Sequence, residues 1–319
     1  EATMHDAIAA CASSSVTVAA VQAQLRFFCN ARQFREQIAQ EVEHAMVPRP
    51  DLIVFPEDIG TGLVGLGTPG LARVPSLRLA MLLASLRNAT RVMPLLRQTA
   101  TSLPWALVTA LARRMREVYV GTFAELAARH RVYIAAGSIL LPHEDDDSGR
   151  VYNTTYLFGP DGTVLGQADK VNLIDLEGPG GLDLTPGAST NLHLWRTPIG
   201  TFAPIICFDA WDRDLVGQLV GDGAQMLLVA SANPRPWTNA EAADRAEGMY
   251  ARVRELRVPG VEAFGVGRLG GLPFEGRSWI VAPDDAARDG VRILAQAQNA
   301  AAPEVIAATV ELPAPAAQM

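Results

Sequence analysis

The chain has 319 residues, is 49% hydrophobic and 19% charged, and carries a net charge of −7. That is the balance of a globular protein with a large core, and it excludes intrinsic disorder and a general nucleic-acid binder. Three cysteines (Cys11, Cys29, Cys207) and five scattered histidines exclude a disulfide framework and a histidine metal site.

Short apolar runs alternate with helical patterns along the chain. The runs at 16–23 and 51–55 read as strands around a helix at 31–46. A helix at 123–131 leads into a strand at 132–141. Residues 152–158 and 164–167 flank Gly159-Pro-Asp-Gly162 and read as a hairpin. Strands follow at 202–207, 226–231, 261–266, 278–282 and 305–312, with helices at 214–221 and 240–258. This alternation predicts an α/β fold, and no linker or second composition divides the chain, so one domain is expected. The tail after Pro313 is Ala/Pro-rich and is expected to be extended. No apolar run reaches the ~18 residues that span a bilayer. The segment Glu1-Ala-Thr-Met4-His-Asp lacks the basic head of a signal peptide, so a cytoplasmic, reducing setting is expected.

A basic helical insertion is expected at about 64–118. Within 71–120 eight arginines face one acid, Glu117, a local charge of +7 that leaves −14 for the remainder. Leu79, Leu82, Leu83 and Leu86 recur at helical spacing, and Pro75, Pro94 and Pro104 divide the segment into short helices. The favoured reading is an insertion packed on the core with its arginines in solvent. A lid, or a surface in contact with a membrane or another anionic partner, is the alternative.

Lys170 is the sole lysine among 27 basic residues. One ammonium retained among arginines suggests a position that a planar guanidinium cannot fill. Two other reactive side chains also stand where an apolar strand ends: Glu57 in Asp51-Leu-Ile-Val-Phe-Pro-Glu57, and Cys207 in Phe202-Ala-Pro-Ile-Ile-Cys207. Carboxyl ends of strands are where α/β folds collect their sites.

With Glu, Lys and Cys in this order on strand ends, the chain resembles the carbon–nitrogen hydrolases of the nitrilase superfamily. The resemblance runs from Val16-Thr-Val-Ala-Ala-Val-Gln22 to Phe274-Glu-Gly-Arg-Ser278 and lapses over the basic insertion, where the Glu-to-Lys spacing exceeds what is usual. It implies a four-layer α-β-β-α sandwich of two mixed sheets with helices outside, and a homodimer or larger homo-oligomer. It also implies Glu57 as general base, Lys170 as oxyanion stabiliser and Cys207 as nucleophile, with no metal or organic cofactor. The roles fit the chemistry, because a poor amide electrophile needs an activated thiol and a cation for the developing oxyanion. The Phe208 backbone N–H is a second expected donor. A supporting glutamate often lies just beyond the family's lysine, and Glu177 or Asp183 could serve, or Glu177 could be a plain loop carboxylate. Asp209 reads as a helix cap or turn anchor. Asn233 and Trp237 are candidates for the substrate pocket.

The expected activity is hydrolysis of a linear amide or N-carbamoyl compound. Nitrilases of the superfamily usually carry Trp-Glu after the cysteine, whereas this chain has Phe208-Asp209, so nitrile hydrolysis stands second. N-acyl transfer by the same triad is a third reading. A scaffold without turnover is a fourth, which retention of Glu57, Lys170 and Cys207 together argues against.

Overall fold

A computed structural model describes residues 15–98, 102–144 and 149–314. Its first half runs β1 (Ser15–Gln22), β2 (Gln24–Leu25), α1 (Ala31–Ala45), β3 (Leu52–Val54), α2 (Leu77–Arg87), α3 (Ala89–Gln98), α4 (Leu103–His130), β4 (Tyr133–Leu141), β5 (Tyr152–Phe158) and β6 (Val164–Asp169). The second half runs β7 (Trp195–Thr197), β8 (Gly200–Ile206), α5 (Arg213–Gly221), β9 (Met226–Ala232), α6 (Asn239–Arg245), α7 (Ala251–Leu256), β10 (Gly260–Leu269), β11 (Leu272–Phe274), β12 (Trp279–Pro283), β13 (Val291–Gln296) and β14 (Glu304–Glu311).

These strands form two mixed sheets. One has the order β14-β1-β3-β4-β5-β6, and the other β13-β12-β10-β9-β8-β7, with β2 and β11 also paired to β10. The centres are parallel: β1 with β3, β3 with β4, β8 with β9, and β9 with β10. The period of two in β1 explains the layering. Ala19 and Val21 pack toward the helices α1 and α4, while Val16, Val18 and Ala20 pack toward the second sheet. Leu215, Val216 and Val253 from α5 and α7 close the opposite side, which gives the α-β-β-α sandwich.

Local signals account for the helices that hold the sheets. The Asn30 side chain caps α1 by accepting from the Gln33 amide, and Phe34, Ile38 and Val42 form its buried stripe. Burial of each of those side chains contributes about 1.5–3 kcal/mol. Ser102 caps α4 at Trp105, and Pro104 sits in the first turn, where its missing amide costs nothing.

Three elements differ from the sequence reading. Pro104 opens a 28-residue helix, so the second half of the expected insertion is continuous with the helix read at 123–131. Pro94 lies inside α3 and does not end it. The helix read at 240–258 is broken: a π-helical turn, Ala246–Tyr250, joins α6 to α7, with Gly248 outside helical geometry (φ −82°, ψ −121°). The Trp211 ring packs there, and a Cβ on Gly248 would come within 2.8 Å of it. Of the tail, Pro313 accepts from the Gln225 amide at 2.6 Å, while residues 315–319 lie outside the described residues, as does Cys11. Among the described residues, no helix is long and apolar enough to cross a membrane.

Candidate active site

Glu57 stands just beyond β3, and an irregularity in the neighbouring strand positions it. The β4–β5 register shifts between Ala135 and Ser138, and Gly137 within the shift has φ +70°. A Cβ there would come within 2.0 Å of the Pro56 carbonyl oxygen, so only glycine lets the Glu57 loop cross so closely. The loop is then tied down, with the Phe55 amide donating to the Ala135 carbonyl and the Asp58 amide to Ser138 Oγ. The buried Glu57 carboxylate accepts from Lys170 Nζ at 2.7 Å, from Asn153 Nδ2 at 3.0 Å and from the Ala232 amide at 3.0 Å.

Lys170 follows β6 and is 1% exposed. Its amide donates to the Asn153 carbonyl, and its own carbonyl accepts from Gly187. Nζ lies between two carboxylates, 2.7 Å from Glu57 Oε1 and 2.6 Å from Glu177 Oε2. Glu177 is itself buried and accepts from Asn153 Nδ2 and the Ile174 amide. It is therefore not a solvated loop carboxylate. Asp183 sits apart, its carboxylate accepting from the Gly180 amide at 2.9 Å. Asp209 anchors the segment after Lys170, accepting from the Val171 and Asn172 amides and from Asn172 Nδ2. The cap of α5 is Asp212, so of the two readings of Asp209 the turn anchor is the one observed.

Cys207 directly follows β8 and opens the 3-10 turn Cys207–Trp211. Its φ is +45°, a strained region for a residue with a Cβ, of the kind that gathers at functional sites. Sγ is 3.8 Å from the Ala232 carbonyl, whose residue also donates its amide to Glu57. The thiol and the carboxylate thus meet at the end of β9.

Electrostatics sets the resting state. Burial pushes the Glu57 carboxyl up to about 7, against the opposing pull of the Lys170 ammonium. Burial, then the Glu57 charge, push the Cys207 thiol up to about 12, although Lys170 and Arg245 act the other way. Burial alone would lower Lys170, but the Glu57 carboxylate, the Cys207 sulfur and Glu177 outweigh it and hold the ammonium well above its usual range. The resting site therefore pairs a thiol with a carboxyl close to neutrality and a fixed cation.

A cavity of about 510 Å³ opens beside Cys207, with Phe208, Trp211, Leu173, Ile174, Asn233 and Arg245 in its wall. Asn233 thus reaches the pocket, while Trp237 packs edge-on against Phe264 at 6.0 Å and Trp211 supplies the indole of the wall. The Phe208 ring is exposed and tilted against Trp211. The sequence reading missed Arg245, whose Nη1 lies 3.6 Å from Cys207 Sγ. One of 26 arginines, 38 positions from the cysteine, gives no local signal. Among the described residues, no cluster of three or more His, Cys, Asp or Glu is placed to hold a metal ion.

A carbon-nitrogen hydrolase family profile matches residues 17–315. Omega-amidase NIT2 of Danio rerio is 33% identical over 115 residues, covering 34% of this chain and 39% of that protein. The human omega-amidase NIT2 is 32% identical over 115 residues, 34% of this chain and 40% of that protein. The match therefore spans about two fifths of these relatives' length. Among solved structures, Saccharomyces cerevisiae Nit3, a member of the nitrilase superfamily, superposes with a TM-score of 0.65 at 19% identity, over 93% of this chain and 90% of its own. An amidase from Nesterenkonia sp. gives 0.64 at 18%, over 94% and 91%. The chain belongs to the carbon-nitrogen hydrolase family.

Proposed function

We propose that this protein hydrolyses the C–N bond of a linear amide or N-carbamoyl compound through a thioester on Cys207. The observation that carries the reading is the buried Glu57–Lys170–Glu177 array, whose carboxylate Glu57 meets the thiol at Ala232.

As Sγ attacks the carbonyl carbon, the thiol proton passes to Glu57 and the C=O π electrons become an oxyanion. With the thiol up at about 12 and Glu57 near 7, free thiolate is scarce at rest, so proton transfer accompanies attack. Lys170 Nζ, which two carboxylates hold in place, and the Phe208 backbone N–H are the donors for that oxyanion. Collapse breaks the C–N bond, and the amine departs with the proton from Glu57. Glu57 then takes a proton from water, hydroxide oxygen adds to the thioester, and the acid leaves as the proton returns to sulfur. Glu177 acts through Lys170 as a positioning residue, and Asn233 is positioned to contact substrate.

The curated omega-amidases make terminal amides the first class to test. Ammonia release is measured across small amides, ω-amides, N-carbamoyl amines and nitriles, with mass spectrometry of Cys207 after rapid quenching. Ammonia together with a Cys207 acyl adduct is expected from the amides or carbamoyl compounds. Release that persists in Cys207→Ala would sink the proposal, and turnover confined to nitriles would favour the nitrilase reading.

A further inference from the structure

The mechanism above leaves one charged group beside the reacting sulfur without a task. Arg245 is the last residue of α6, and its guanidinium is fixed on every side. Nε faces Glu241 Oε1 at 3.3 Å, Nη2 donates to Asn233 Oδ1 at 3.2 Å, and the plane lies 4.9 Å from the Trp211 ring centroid. The π-helical turn that follows is of a kind often found at functional sites, and here it lets Gly248 pass close to the same indole.

Nη1 points at Cys207 Sγ, 3.6 Å away. A neutral thiol is a weak acceptor, so this donor is poorly matched at rest. An anionic sulfur would match it well, because a hydrogen bond to a charged partner is about twice as strong as a neutral one. A donor that is underused in the ground state and well used when charge develops favours the transition state.

The charge around the sulfur shows why a second cation is needed. On one side stand Glu57, Lys170 and Glu177, two carboxylates to one ammonium. The Glu57 charge pushes the thiol up, and Lys170 is already shared between both carboxylates. Arg245 approaches from the other sheet's side of the cavity, with Glu241 behind it on Nε and Glu262 contributing at longer range.

We infer that Arg245 is a catalytic residue whose guanidinium stabilises the negative charge on Cys207 Sγ as Glu57 takes the thiol proton. The inference rests on the Cys207 nucleophile of the proposed function but needs no particular substrate. Its covalent consequence with an alkylating reagent is simple: the S–C bond forms, the C–I bond breaks, iodide leaves, and the thiol proton goes to Glu57 and then to solvent.

The test alkylates wild type, Arg245→Lys, Arg245→Gln and Arg245→Met with iodoacetamide and with iodoacetate from about pH 5 to about pH 10, locating the label by peptide mass. Cys29 serves as the internal control. At Cys207, the Gln and Met variants are expected to react about tenfold more slowly near neutrality. The midpoint, which Cys207 and Glu57 share, should move up by about one pH unit. Their preference for the anionic reagent over the neutral one should fall, and the Lys variant should keep part of it. Labelling of Cys29 should not change. If the Met variant does not fold by circular dichroism, Gln and Lys decide the matter. Wild-type midpoints and reagent preference in the folded Gln or Met variant would overturn the inference and leave Arg245 as wall packing for Trp211. Because alkylation needs no turnover, a wild type inactive on every amide would defeat the hydrolase reading without touching this measurement.

Discussion

Replacing Lys170 by arginine separates charge from geometry at the centre of the site. The ammonium nitrogen lies 2.7 Å from Glu57 Oε1 and 2.6 Å from Glu177 Oε2, at 1% exposure. A guanidinium keeps both ion pairs in charge but places two nitrogens on a longer, planar head in a space shaped for one atom. Overpacking of that kind costs about 1–3 kcal/mol. Leaving the two buried carboxylates without a cation, as in Lys170→Met, would cost about 3–5 kcal/mol. The arginine variant should therefore be folded and the more stable of the two near neutrality. Its turnover should nonetheless fall about 10²–10³-fold, the usual loss for one misplaced oxyanion donor. Equilibrium denaturation and ammonia release on the same preparations give both quantities. Turnover of Lys170→Arg within about threefold of wild type would refute the reasoning, since the cation would then be acting by charge alone.

Glu177→Gln replaces a carboxylate that accepts from Lys170, Asn153 and the Ile174 amide and turns an amide toward donors that need an acceptor; turnover should fall about tenfold to 10²-fold with KM little changed, read by steady-state kinetics. Asp209→Ala strips the acceptor from two backbone amides beside Lys170, so denaturation should show a loss of about 2–4 kcal/mol together with reduced turnover. pH should move activity and stability in opposite directions. Glu57 must be ionised to act as base, so kcat/KM should rise with pH through about 7. Burial raises Glu57 to about 7, Asp58 and Asp209 to about 6 and Glu41 to about 8, all above their ordinary values. Stability from a raised carboxyl is fully present below its ordinary value and is lost as pH climbs through the folded value. Lys170 is also raised, but its contribution stays intact until far more alkaline pH. Tm should then decline between about pH 4 and pH 8, and a Tm that rises across that window would contradict the directions given.

Much of the fold was legible in the sequence because its strands are short apolar runs closed by turn residues. The parallel pairs β1–β3 and β8–β9 leave no face to water, and such strands announce themselves by composition. The strand β13 went unread because Val291–Gln296 is half polar and lies at an edge. The break at Gly248 was hidden because its cause, the Trp211 ring, is remote in sequence. At the site, Glu57, Lys170 and Cys207 each follow a strand and could be found one by one. Glu177 could be nominated but not separated from Asp183, since only burial distinguishes them. Asn153 was invisible inside a strand, and Arg245 was one guanidinium among 26.

Glu57, Lys170 and Glu177 follow β3, β6 and, in the loop beyond it, β6 again, and both strands belong to the six-stranded sheet. The sulfur, the Ala232 hinge between thiol and base, and Arg245 come from the side built on β8 and β9. The proposed reaction centre is thus a gauge of how the two sheets are seated on each other. A shift of one sheet over the other too small to expose the core would still part the Cys207 thiol from Glu57. On gentle heating or in mild denaturant, turnover should therefore fade before the far-UV circular dichroism of either sheet changes. In refolding, it should be the last property to return.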